Sequence, residues 1–183
     1  VFKSLWFVRK AAAQRRMQSH AASGSPADAG LFFSRPIRYP ISMKHHIYLA
    51  GPLFTHAERQ FMASLRDRLR QLTHVTVTWP GDLFDDAHLA SLGPKAKQHI
   101  FAGCRDEIHA ATHIVAILDG PQVDDGTAWE IGYAYARGLP VIGLRTDFRQ
   151  AGDTAHSVAN AMIECSCVHI YRSADELLAA LAG

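Results

Sequence analysis

The sequence predicts an α/β fold, a Rossmann-like or flavodoxin-like three-layer sandwich with a mainly parallel five-stranded sheet. Two observations carry that expectation. From Met43 onward, short apolar runs of strand length alternate with stretches of helical periodicity. The chain also has 183 residues, 48% hydrophobic and 20% charged, enough for one domain with a sizeable core.

The elements follow in order. Ile47 to Ala50 is the first strand, ended by Gly51-Pro52. Over residues 56 to 72, Phe61, Met62, Leu65, Leu69 and Leu72 recur at helical spacing while Arg66, Arg68 and Arg70 fall elsewhere, which predicts an amphipathic helix. Val75, Val77 and Trp79 alternate with threonines as a half-buried second strand. A loop rich in Asp, Gly and Pro then leads to a helix near residues 95 to 111, with Ile100, Cys104, Ile108 and Ala111 along one side. His113 to Leu118 is the third strand, and Asp119 to Gly126 a polar loop feeding a helix that starts near Thr127. Pro140 to Leu144 and Val168 to Tyr171 are the last two strands, and Ser173 caps a final helix through Leu181.

Charge divides the chain. Residues 1 to 42 carry seven basic residues against the single acid Asp28, and their Ala/Ser/Gly/Pro stretch predicts a disordered basic leader, either an overlong start or a transit segment. The domain proper, residues 43 to 183, holds the remaining twelve basic and sixteen acidic residues, which disfavours nucleic acid as a partner. No apolar run reaches the ~18 residues of a membrane-spanning helix, so no membrane partner is expected. Three cysteines are too few for a disulfide framework, and a cytoplasmic setting is expected.

The segment from Asp119 to Ala136 holds the richest chemistry. It places Asp124, Asp125 and Glu130 where a strand, a loop and a helix start converge, the edge at which such sheets bind ligands. A first-turn Glu130 would be kept ionised by the helix dipole, as a carboxylate nucleophile requires. Two blander readings stay open: Thr127 to Glu130 matches a capping box, and Asp124-Asp125-Gly126 matches a turn. Closely spaced carboxylates on one loop also suit cleavage of a glycosidic bond, one steadying or attacking the sugar and the other serving as acid. The eleven histidines are scattered, His109 and His113 share no obvious face, and Cys165 and Cys167, on one side of a strand, lack a second pair. No metal or cofactor is expected.

Three stretches, Tyr48-Leu49-Ala50-Gly51-Pro52-Leu53-Phe54, Asp124-Asp125-Gly126-Thr127-Ala128-Trp129-Glu130-Ile131-Gly132-Tyr133-Ala134 and Asn160-Ala161-Met162-Ile163, resemble the nucleoside 2-deoxyribosyltransferase family with its nucleotide N-hydrolase relatives, over residues 45 to 171. The resemblance implies that Glu130 attacks C1′ of a 2′-deoxynucleoside, that Tyr48 orients it, and that Asp124 contacts a sugar hydroxyl. Gly51 and Phe54 fall in the substrate-binding tyrosine element. Asn160 and Met162 are implied to reach a neighbouring subunit's site, so a homo-oligomer with shared sites is expected. Deoxynucleosides and free nucleobases are the implied partners. Counting back from Glu130, Cys104 falls where some members place a base-contacting aspartate, and Asp106 lies roughly 200° away on an ideal helix. Asp82 or Asp125 is therefore expected to donate the proton to the base. Asn160, and a first-strand loop without an arginine cluster, favour an unphosphorylated 5′ end. Two alternatives remain: an N-glycoside hydrolase of nucleosides or nucleotides, and a non-catalytic nucleotide sensor.

Overall fold

The computed structural model describes residues 44–182, so the leader and its boundary at Met43 lie outside the described residues. Five strands, β1 His45–Ala50, β2 Val75–Thr78, β3 His113–Ile117, β4 Val141–Leu144 and β5 His169–Tyr171, form one sheet in the order β2-β1-β3-β4-β5. All four pairings are parallel. This is the flavodoxin-like order, whose switch point lies between β1 and β3.

The helices are α1 His56–Arg70, α2 Pro80–Leu83, α3 Asp86–Leu92, α4 Ala96–Ala110, α5 Asp125–Ala136, α6 Ala161–Glu164 and α7 Ala174–Ala182. Burial on both sheet faces explains the apolar strand runs. On one face Ile47, Leu49, Val115, Ile117 and Leu144 meet Met62, Leu65 and Leu69 of α1 and Leu177 and Leu181 of α7. On the other, Tyr48, Ala50, Ile114 and Ala116 meet Ile108 of α4 and Ile131 and Ala134 of α5. The β-period of 2 thus sends Tyr48 and Leu49 to opposite layers. Each fully buried aliphatic side chain adds about 1.5–3 kcal/mol.

Three local expectations are corrected. The segment expected to be a loop before α4 contains α2, α3 and a 3-10 turn, Gly93–Lys95. Pro80 opens α2 at a position that needs no N–H donor, and Asp85 caps α3 by accepting from the His88 N–H at 2.8 Å. The helix expected from Thr127 starts two residues earlier, at Asp125. Cys165 and Cys167 are not on a strand: Cys165 is the C-cap of α6, and the Cys167 thiol donates to the Ile163 carbonyl at 3.3 Å.

At the start of β1 and β3, the rings of His45 and His113 meet edge-on, 5.1 Å between centroids, and His74 lies 5.6 Å from His45. Burial, helped by His45, lowers the pKa of His113 from 6.5 to about 4. The folded state therefore favours neutral His113. That contribution to stability is complete above the unfolded value of 6.5 and is lost as pH falls through about 4. Thermal melts of His113→Leu are expected to lose less Tm than the wild type between about pH 7 and pH 4, a difference that parallel curves would rule out.

Candidate active site

Tyr48 sits in the middle of β1, its Cα paired with those of Thr78 and Ile114 on the two flanking strands. It is fully buried, and its hydroxyl donates to Glu130 Oε1 at 2.5 Å. The ring packs in the core and the hydroxyl reaches the switch-point crevice. Burial first, and then the adjacent Glu130 charge, keep the phenol protonated well above its ordinary range, which preserves it as a donor.

Glu130 is not in the first turn of its helix. The N-cap is Asp124, whose Oδ2 accepts from both the Thr127 N–H and the Thr127 hydroxyl at 2.9 Å. Thr127 is therefore a capped residue and not the cap, and the Glu130 carboxylate turns to Tyr48. The expected electrostatics are also reversed. Desolvation raises the Glu130 pKa from 4.5 to about 7; the Tyr48 hydrogen bond opposes that rise and the charge of Asp124 adds to it. Tyr48, and not the helix dipole, is what favours the carboxylate here.

A cavity of about 690 Å³ opens in front of this pair. Its wall includes Gly51, Phe54, Asp124 and Glu130, together with the Cys104 thiol. A Cβ at Gly51 would stand 2.6 Å from Met62 Sδ, so a larger residue there would force the Met62 side chain to shift. Phe54 is 76% exposed, at the rim. Burial pushes the Cys104 thiol up, a hydrogen bond with Tyr48 acting against it, so Cys104 is a neutral thiol.

The two residues expected to protonate the base are not on this wall. Asp82 is held by Arg66 at 2.5 Å and Arg70 at 2.9 Å, a pairing across α1 and α2 that spacing could not reveal. Asp125 is the exposed first residue of α5. Asp106 is likewise exposed and paired with Arg105 at 2.7 Å. Instead Asp85 and Asp86, with Trp79, Phe84, Leu89 and Ile100, supply a mixed acidic and apolar wall. An Asp85 cap ahead of Leu89 and Leu92 was the readable signal for that helix. Arg59, also missed, comes from α1.

Asn160 and Met162 lie elsewhere. Asn160 caps α6, accepting from the Met162 N–H at 3.0 Å and donating to Asp153 at 3.3 Å, and it lines a separate cavity of about 430 Å³. Met162 is 78% exposed.

Comparison with known proteins bears on this geometry. The family model described as Nucleoside 2-deoxyribosyltransferase matches residues 47–162. The chain belongs to this family. Its stretch includes every candidate residue from Tyr48 to Met162. No curated protein matches the chain. Among solved structures, the chain is similar to a conserved protein from Enterococcus faecalis V583, at 31% identity over 76% of this chain and 97% of that one, with a TM-score of 0.60. It is also similar to a 2-deoxyribosyltransferase from Bacillus psychrosaccharolyticus, at 25% identity over 73% and 90%, with a TM-score of 0.60. As a member of the nucleoside 2-deoxyribosyltransferase family, the chain has the tyrosine and glutamate of the motif in direct contact.

Proposed function

We propose that the protein transfers 2-deoxyribose between nucleobases through a covalent deoxyribosyl–Glu130 ester. The observation that carries this reading is the Tyr48–Glu130 hydrogen bond on the wall of a nucleoside-sized cavity. With Oε1 held by the phenol, Oε2 is left to attack C1′ of a bound 2′-deoxynucleoside. The C1′–N bond breaks, and the base leaves with its electron pair and takes up one proton. In the second half-reaction a nitrogen of an incoming base attacks C1′, the ester C1′–O bond breaks, Glu130 is restored, and the new base gives up one proton.

Trp79, Phe84, Leu89 and Ile100 suit a flat, largely apolar base, and Asp85 and Asp86 are the acidic groups on that wall to carry its proton. Asp124 Oδ2 is engaged by Thr127, which leaves Oδ1 for a sugar hydroxyl. The exposed Met162 and the α6 cap Asn160 are offered to a second subunit, in a homo-oligomer that shares its sites.

Incubation with deoxyinosine and adenine tests the reading. Formation of deoxyadenosine is the expected result. Release of hypoxanthine without deoxyadenosine would instead make the protein a hydrolase, and release of no base would leave a binding domain.

A further inference from the structure

Among the described residues Arg145 is the one arginine, lysine, aspartate or glutamate that is buried, 1% exposed at the end of β4. It forms no ion pair with a described residue, and its Nε meets no acceptor there. The terminal nitrogens donate to three backbone carbonyls instead: Nη1 to Leu118 and to Gly120 at 3.2 Å, Nη2 to Gly120 at 3.3 Å and to Arg149 at 3.2 Å. A buried cation without an acid is costly, and an apolar side chain of similar volume is often at least as stable in such a place. What the guanidinium supplies is geometric, because its planar fork reaches two chain segments at once.

Those segments are the loops that leave β3 and β4. Leu118 and Gly120 flank Asp119, whose Oδ1 accepts from the N–H groups of Thr146 at 2.6 Å and Asp147 at 2.9 Å. In return the Gly120 N–H donates to Asp147 Oδ2 at 3.1 Å. Gly120 takes a φ of +106°, which favours glycine, and its carbonyl receives both terminal nitrogens of Arg145. The two loops are thus laced in both directions, and Arg145 is the buried member of the lacing. The loop after β3 runs on to Asp124, the N-cap of α5, and so sets where that helix begins. Val123 and Arg145 line the second cavity and Asp124 the Glu130 cavity, so this loop forms a wall between the two. Tyr48 is fixed in the sheet by a strand on either side, and its 2.5 Å contact with Glu130 therefore depends on the start of α5.

We propose that Arg145 is a positioning residue of the deoxyribosyl site: by fastening the Leu118 and Gly120 carbonyls to the loop after β4, it sets the distance between Glu130 and Tyr48. The inference rests on reading the cavity as that site. Arg145 bonds to neither Glu130 nor Tyr48 and acts through the backbone that leads into α5. Lysine would keep the charge and lose the fork, since a point ammonium on a flexible stem does not reproduce the planar spread of donors.

The test compares the wild type with Arg145→Lys and Arg145→Met, well below the Tm of each. The first readout is the downfield proton resonance of the buried Tyr48 hydroxyl, assigned by its loss in Tyr48→Phe; the second is the kinetics of base exchange. Both variants are expected to shift that resonance upfield or lose it, and to lower kcat about ten- to a hundredfold while KM stays within about threefold. The Met variant leaves no charge to bury, so a readout remains should the Lys variant not fold. A role in stability alone would lower Tm and leave the resonance in place. An unmoved resonance, or a kcat within about twofold of the wild type, overturns the proposal. If the wild type exchanges no bases, a moved resonance keeps Arg145 as the residue that places Glu130 and removes only deoxyribosyl transfer. If it exchanges bases and the resonance is unmoved, only the role of Arg145 falls. Absence of the resonance from the wild type removes the Tyr48–Glu130 contact on which both readings depend.

Discussion

Glu130→Gln is expected to lower base exchange about a thousandfold or more while making the protein more stable at alkaline pH. The rate loss follows because an amide cannot form the ester, and removal of a nucleophile leaves only binding and positioning. The stability gain follows from linkage. The carboxyl holds its proton more tightly in the folded protein, to about pH 7, than in the unfolded chain, where its value is 4.5. Between those values the folded state binds more protons, so stability falls as pH rises. Below the window the buried group is neutral and the penalty is absent; above it the full penalty, on the order of 3 kcal/mol, is present. Glutamine never ionises. Melts of the two proteins should therefore converge below about pH 4.5 and be fully separated by about pH 8, with the variant higher. Parallel curves would mean that Glu130 is not held in a desolvated site.

Tyr48→Phe is expected to reduce turnover near neutral pH by about ten- to a hundredfold, with little change in Tm below about pH 4.5, where Glu130 is protonated. The phenyl ring still fills its place in the core, so packing is preserved. What is lost is the hydroxyl donor to Oε1 and, with it, the influence that opposes desolvation of Glu130. The carboxylate form becomes scarcer, and the ascending limb of the rate–pH profile moves upward by about one unit, as expected for loss of one hydrogen bond to a charged group. A lower rate with an unmoved limb would assign Tyr48 to packing and not to the ionisation of its partner.

The strands were legible because burial on both faces leaves an unbroken apolar run, as in Ile114 to Leu118, and α1 was legible because Met62, Leu65 and Leu69 face one core. The start of α5 was misread because two local signals compete. Asp124 followed by Thr127, and Thr127 followed by Glu130, are both good N-terminal patterns, and what decides between them is Tyr48, eighty-two positions before Glu130, which draws the glutamate away from capping. The same distance problem hid the fate of Asp82, because its partners Arg66 and Arg70 lie on a different helix. α2 and α3 were missed because they are four and seven residues long with none fully buried, so the spaced pair Leu89 and Leu92 behind the Asp85 cap was a weak apolar signal. The electrostatics of Glu130 were not readable from the helix start, because burial works against its carboxylate form and the hydrogen bond from the distant Tyr48 favours that form.

The most direct test is to trap the enzyme with a 2-fluoro-2-deoxy nucleoside, whose ester intermediate hydrolyses slowly, and to locate the attached sugar by mass spectrometry of peptides. One fluorodeoxyribosyl group is expected on the peptide containing Glu130, reduced in Tyr48→Phe and absent in Glu130→Gln. Base release with no sugar on the protein, or a sugar attached at another residue, would contradict it.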